Sequence, residues 1–193
     1  RDCIQMGADE AYLLEGIEFK GSDTLATSYA LAEAAKSIAD FDIVFTGDQT
    51  MDGDTGQVGP QIAENLKMNQ VTYVSDIKYA DGEYEVKRNY GAGVETVRLN
   101  TPFLVTSLKD SVNKPSKFAL GREEIAKEKE IHDLTCKSLG LDLDKVGQKG
   151  SKTIVKNVEA PHSMEKGIEI NEGSAEKNVE KIIEILKENK ALV

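Results

Sequence analysis

The chain of 193 residues has no tryptophan, two cysteines and two histidines. Cys3 and Cys136 are too few for a disulfide framework and lack the CxxC spacing of a redox or zinc motif. His132 and His162 stand far apart with no Cys or His companion, which argues against a zinc site. No Ser/His/Asp arrangement or nucleophile elbow is present, so nothing resembles an autonomous hydrolase and no catalytic side chain is expected. Basic residues are in deficit: 24 Lys and Arg face 34 Asp and Glu, a formal net charge of −10. A nucleic-acid surface needs the opposite balance, whereas an acidic chain suits a basic protein partner. No apolar run approaches the roughly 20 residues of a membrane span. The opening residues, Arg1-Asp2-Cys3-Ile4-Gln5, lack the apolar stretch of a signal peptide. So few cysteines point to a reducing cytoplasm.

What is present is ordinary for a soluble domain: 39% hydrophobic and 30% charged residues, in a length that suits one domain or one domain with an extension. The chain opens inside a helix-like run, Arg1 to Gly7, leading to a short strand, Ala11 to Leu14, which raises the expectation of a segment before it.

The densest signal is Gly47-Asp48-Gln49-Thr50-Met51-Asp52-Gly53-Asp54-Thr55-Gly56-Gln57-Val58-Gly59-Pro60. It follows the apolar run Ile43-Val44-Phe45 and precedes a helix-like run, Gln61 to Leu66. Strand, glycine-rich loop and helix start together gather backbone N–H groups and the positive end of a helix dipole around one small volume, which suits phosphate. The glycines permit sharp turns and close approach to a ligand. Thr55 and Gln57 can donate to phosphate or ribose oxygens, and Pro60 fits a first helical turn. Asp48, Asp52 and Asp54 repel phosphate, so they must cap amides, accept ribose hydroxyls or bind a metal. A calcium loop lacks the EF-hand ligand spacing here. A solvated Asp/Gly-rich turn is the plain alternative.

Ser22 or Asp23 can cap a helix to about Ala39, with Leu31, Ala35 and Ile38 on one face. Strand Ile43–Phe45, the loop and a helix carrying Ile62, Ala63 and Leu66 continue the alternation, which predicts an α/β sheet with ligands at strand C-terminal ends. Val71 to Asp76 reads as strand. Ile77-Lys78-Tyr79 and Tyr84-Glu85-Val86 flank Asp81-Gly82, a hairpin signal, and Val94–Leu99 and Phe103–Val105 add strands. Tyr73, Tyr79 and Tyr84 read as sheet packing. Ser107 to Lys129 reads as a solvated helix with salt-bridge pairs, or as an exposed apolar anchor with a charged rim. Residues 139–172 read as an extended arm with a short strand, Thr153–Val155. Ser174 then caps a final helix with a stripe at Val179, Ile182, Ile183 and Leu186.

With these pieces in place, the chain resembles the beta subunit of electron transfer flavoproteins over essentially its whole length. The loop Asp52 to Gln61 resembles that family's adenine-nucleotide loop. Val86-Lys87-Arg88, then Gly91-Ala92-Gly93 and Glu95, running on to Pro102-Phe103-Leu104-Val105-Thr106, resembles its signature segment. There the family has an acidic residue and two glycines in place of Gly91, Ala92 and Gly93. Lys114-Pro115-Ser116-Lys117-Phe118-Ala119-Leu120 is similar to its partner-recognition loop.

The resemblance implies a Rossmann-like, HUP-like nucleotide-binding domain over residues 1–139 and an arm over 140–193 that docks on an alpha subunit. It implies a redox FAD held mostly by that subunit, and AMP, or a second FAD in flavin-bifurcating members, in the beta subunit. Gly47 through Val58 would line this nucleotide, Thr55 to Val58 would hold its phosphate, and Asp52 and Asp54 would order the loop. Leu120 would insert into an acyl-CoA dehydrogenase or related flavoenzyme, with Lys117 and Arg122 on its rim. The loop looks closer to members from anaerobes, which favours FAD and brings in NADH as a donor. The family's first strand would precede Arg1. A stand-alone adenine-nucleotide sensor of the same fold is the alternative.

Overall fold

The computed structural model describes residues 1–91, 93–109, 121–159 and 167–191. Contacts divide it into two units, Arg1–Ile154 and Val155–Val193. In the first unit the elements are α1 (Asp2–Gln5), β1 (Tyr12–Leu14), a 3-10 turn (Ile17–Phe19), α2 (Thr24–Ile38), β2 (Ile43–Gly47), α3 (Val58–Leu66), β3 (Asn69–Ala80), β4 (Glu83–Tyr90), β5 (Gly93–Leu99), β6 (Phe103–Ser107), α4 (Arg122–Glu128), β7 (His132–Leu134) and α5 (Gly147–Gly150). The second unit contains α6 (Ala175–Glu188).

The main sheet has the order β2-β6-β3-β4-β5. β6 runs parallel to β2 on one side and to β3 on the other, while β3, β4 and β5 form an antiparallel meander. A parallel strand covered on both faces is apolar where it is buried, and the first three residues of β6 are: Phe103, Leu104 and Val105 are fully buried. Alternation sends Phe103 and Val105 into a cluster with Val71, Val74 and Val86, and Leu104 into another with Ala32, Ile62 and Ala63 from α2 and α3. This mixed α/β sheet with a C-terminal helix matches the Rossmann-like expectation. The hairpin turn also forms as read: Asp81 and Gly82 both have positive φ, 54° and 88°, the pair a two-residue primed turn requires. Tyr79 packs at a tilt against Tyr84, and Tyr84 edge-to-face against Phe103, at centroid distances of 4.9 and 5.3 Å.

Several expectations are corrected. The buried side of α2 is not the Leu31 stripe, since Leu31 is exposed and Ala26, Ser28, Ala30, Ala32 and Ala34 are buried. The helix is covered on two sides. Ala32 faces α3 and the sheet, while Ala30 packs with Cys136, Leu141 and Val146. Small side chains let both neighbours approach closely. Burial also pushes the Cys136 thiol up, so this cysteine is an inert part of the core. β7 was not foreseen; it pairs in parallel with β1, apart from the main sheet. Of the charged stretch Ser107 to Lys129, helix forms at Arg122–Glu128, while residues 110–120 lie outside the described ones.

Thr153–Val155 is not a strand, and the amide of its first residue is engaged elsewhere. Asp23 caps α2 through Oδ1, which accepts from the amides of Leu25 and Ala26 at 3.0 and 3.1 Å. Its Oδ2 accepts from the amides of Lys152 and Thr153, at 2.7 and 3.0 Å, and from the Thr153 hydroxyl at 3.2 Å. One carboxylate therefore starts a helix and fastens residues 152–153 to it. Residues 140–154, read from sequence as the start of the arm, are packed into the first unit by this clasp and by Leu141 and Val146.

Burial works to raise the Asp23 pKa, but the amide bonds outweigh it and hold the carboxyl below its ordinary value. A depressed carboxylate contributes stability at neutral pH and loses it as pH falls through the folded-state value. Asp23→Ala is expected to cost about 1–2 kcal/mol at pH 7. The gap to the parent should close as pH drops well below about 4. Urea unfolding at the two pH values measures both, and a gap of equal size at low pH contradicts the clasp.

Candidate functional site

β2 ends at Gly47 and α3 begins at Val58, so the loop Asp48–Gln57 lies at the C-terminal ends of the parallel strands β2 and β6. The loop is ordered from within. The Asp48 carboxylate accepts from the Gln49 amide at 2.9 Å, and the Thr50 carbonyl accepts from the Asp54 amide at 2.9 Å. The Thr50 hydroxyl holds the Asp52 carboxyl below its ordinary pKa, with help from the Asp52 and Gly53 amides. Asp54 and Gly56 take left-handed backbone, at φ 49° and 61°. The Asp52 carboxylate thus takes part in the turn, while Asp54 joins it through its backbone amide. Among the described residues no group of three or more His, Cys, Asp or Glu side chains is placed to hold a metal ion.

No side chain caps the start of α3. Pro60 has no N–H, so the free donors of the first turn are the amides of Val58 and Gly59, at the positive end of the helix dipole. The Val58 side chain packs on the Ala32–Leu104 cluster, so only its backbone faces the loop. Gln57 accepts the Thr24 hydroxyl on its amide oxygen at 2.8 Å, which leaves the NH2 end as its donor. Ser28, buried in α2, donates to Gln61 at 3.1 Å and ties the two helices together. Met51 is fully exposed, and Thr50, Thr55 and Gln57 are also open to solvent.

Two features of the sheet set the position of these amides. A Cβ on Gly59 would lie 2.5 Å from Thr46 Oγ1 and 2.6 Å from Thr106 Cγ2. The helix start therefore rests directly on β2 and β6, closer than any other residue allows. In β3, Val71 pairs with Val105 but Val74 pairs with Ser107, so the strand carries one extra residue, a β-bulge. Tyr73 sits in it at φ 58°, where a bulky residue is a genuine outlier. Its amide donates to Thr106 Oγ1 at 3.0 Å. The Tyr73 hydroxyl comes within 4.0 Å of where a Cβ on Gly56 would lie. Tyr73 is thus not sheet packing, as read from sequence; the bulge turns it onto the loop, and the residue is 43% exposed. Thr106, buried beneath, braces Gly59 with its methyl group and the bulge with its hydroxyl. Sequence reasoning missed both residues. The available signal was the spacing of three between Val71 and Val74, which breaks strict alternation.

A groove of about 350 Å³ lined by Phe45, Val74, Ile77, Val105, Ser75, Asp76 and Ser107 lies against the Phe103–Val105 side of the sheet. Its lining is mostly apolar and its one charged group is a carboxylate, so it suits no phosphate. Of the residues read as a partner rim, Lys117 and Leu120 lie outside the described residues. Arg122 is exposed at the start of α4, where its guanidinium donates to the Gln5 carbonyl at 3.4 Å. In the second unit, Ser174 caps α6 by accepting from the Lys177 amide, and Val179, Ile182, Ile183 and Leu186 form an apolar stripe that is 37–53% exposed. Among the described residues no helix is long and apolar enough to cross a membrane.

The family model for the electron transfer flavoprotein domain matches residues 1–138. The chain is 40% identical over 187 residues to the electron transfer flavoprotein subunit beta of Thermoanaerobacterium thermosaccharolyticum, an alignment covering 96% of this chain and 71% of that one. It is 43% identical over 155 residues to subunit CarD of the caffeyl-CoA reductase-Etf complex of Acetobacterium woodii, covering 80% of this chain and 59% of that one. It is 37% identical over 194 residues to the acryloyl-CoA reductase electron transfer subunit gamma of Anaerotignum propionicum, covering 96% and 72%.

Proposed function

This chain belongs to the electron transfer flavoprotein family, with the beta subunits, and on that premise we propose that its loop Gly47 to Val58 holds the adenosine-phosphate part of AMP or of a second FAD. The observation that carries this reading is the uncapped start of α3, seated on Thr46 and Thr106 through Gly59 and preceded by the left-handed turn at Gly56. Two free amides at a helix N-terminus, the NH2 of Gln57 and the hydroxyl of Thr55 form a donor set for a phosphate group. The loop contributes no Lys or Arg, so the phosphate is held by dipoles rather than by a countercharge. Bound FAD supplies the electron-carrying chemistry. The chain's own residues bind and orient the nucleotide, and no side chain of this chain acts as nucleophile or general base.

The working form in this reading is a cytoplasmic heterodimer with an alpha subunit that holds the redox FAD. The exposed stripe of α6 supports a partner, since an amphipathic helix with an open apolar face is stable when that face is covered. Electrons pass to an acyl-CoA dehydrogenase or related flavoenzyme; two relatives carry CoA-thioester reductases in their names. NADH oxidation at a beta-bound flavin belongs to the FAD form of this reading. Acid release of cofactors from the purified complex, followed by chromatography, tests it. We expect one adenine nucleotide per beta chain in addition to one FAD. A complex with a single FAD and nothing further overturns the loop assignment, and AMP or a second FAD distinguishes the two forms.

In the same reading Leu120→Ala slows electron transfer to the dehydrogenase about tenfold, the scale of a buried anchor, with flavin content unchanged. Stopped-flow rates equal to those of the parent return Leu120 to an ordinary surface residue.

A further inference from the structure

We propose that the Tyr73 hydroxyl donates a hydrogen bond to the phosphate group held at the start of α3, and that the bulge in β3 exists to place it there. The inference rests on the reading of the loop as a nucleotide site. Tyr73 holds left-handed backbone at φ 58°, a conformation that a bulky residue adopts only when its surroundings enforce it. The enforcement is visible. The Tyr73 amide is bonded to Thr106 Oγ1 at 3.0 Å, and Thr106 is fully buried beneath Gly59. The extra residue lets Val71 and Val74 stay in the same buried cluster while Tyr73 leaves it. What the bulge achieves is delivery of a phenol hydroxyl to Gly56, one residue before the Gln57–Gly59 amides.

The chemistry of the loop explains why such a donor matters there. Residues 47–60 carry three aspartates and no basic residue. A phosphate gains no charged partner from this stretch, so each neutral donor counts. The phenol is a strong, neutral donor, and its ring has two rotatable bonds, so little freedom is lost when it binds. The hydroxyl, not the ring face, is the part of Tyr73 nearest Gly56, which assigns it to the phosphate end of the ligand rather than to the base.

The test is calorimetric titration of the complex with the alpha subunit, its beta-site nucleotide first removed, in parent and Tyr73→Phe forms, with AMP, with FAD and with adenosine. The variant keeps the ring, the bulge and the amide bond to Thr106, and an unchanged thermal midpoint verifies its fold. The expected result is a loss of AMP affinity of about tenfold with adenosine binding unchanged. Equal AMP affinity in parent and variant overturns the role of Tyr73 while leaving the loop assignment standing. A matching loss for AMP and adenosine also overturns it, because a phosphate contact is then not what was removed. A parent complex that binds neither AMP nor FAD overturns the loop assignment, and this inference with it.

Discussion

Gly59→Val is expected to lower the unfolding free energy by about 3 kcal/mol and to leave the purified chain without nucleotide. The added Cβ alone would stand 2.5 Å from Thr46 Oγ1 and 2.6 Å from Thr106 Cγ2, well inside van der Waals contact. Thr106 cannot retreat, and Thr46 Oγ1 can yield only by giving up its 3.4 Å bond to the Val105 carbonyl. Thr106 is buried in β6, between β2 and β3, with its hydroxyl bonded to the Tyr73 amide, and Thr46 is its direct partner on β2. The helix start must therefore lift off the sheet, at the cost of overpacking a rigid core. Lifting it moves the Val58 and Gly59 amides and disturbs the Tyr73 bulge through the same threonine. Urea unfolding measures the first effect and cofactor release the second. A Gly59→Val chain of parental stability with a full complement of nucleotide would refute the placement of α3 as the foundation of the site.

Gly56→Val should separate binding from folding. Here space is available, since the nearest atom to an added Cβ is the Asp48 carbonyl oxygen at 3.6 Å. The obstacle is conformational. Gly56 has φ 61°, and an L-residue in that region costs about 1–2 kcal/mol, with β-branched residues worst. For a chain of this length the loss lowers the thermal midpoint by about 3–6 °C. Binding should fall far more. The strained turn relaxes toward negative φ, which re-aims the Gln57 and Val58 amides, while Ile62, Ala63 and Leu104 stay packed. The expected outcome is a folded protein with little bound nucleotide. Gly56→Asn, whose side chain tolerates left-handed backbone, should retain more than the valine variant. Full nucleotide content in Gly56→Val would remove the loop from the site.

These two glycines mark what sequence pattern can and cannot convey. The loop was legible because strand, glycine-rich turn and helix start follow one another along the chain, and local backbone rules connect them. The Asp81-Gly82 hairpin and the Ser174 cap were legible for the same reason. The particular task of each glycine was not. Gly56 answers to a backbone angle, Gly59 to a crowded contact with Thr46 and Thr106, and nothing in their spacing distinguishes the two. The stripe on α2 was misread because an alanine-rich helix, covered on two sides, has no single large apolar face to reveal its orientation. Thr153–Val155 was misread as strand because its first amide, that of Thr153, bonds the Asp23 carboxylate more than a hundred residues away. The pairing of β1 with β7 joins segments equally distant.

The sequence by itself determined the class of the fold, the location of the glycine loop between a parallel strand and a helix, the acidic surface and the amphipathic last helix. These depend on neighbours along the chain, on periodicity and on composition. Only the tertiary structure decided which amides remain free, why Gly59 admits no side chain, and that Thr106 and Tyr73 stand with the loop. Those properties arise where β2, β6 and β3 lie side by side. Strand pairing sets Thr46 beside Thr106 and bonds Thr106 to Tyr73, and no local pattern encodes a contact between residues that meet only after the sheet has formed.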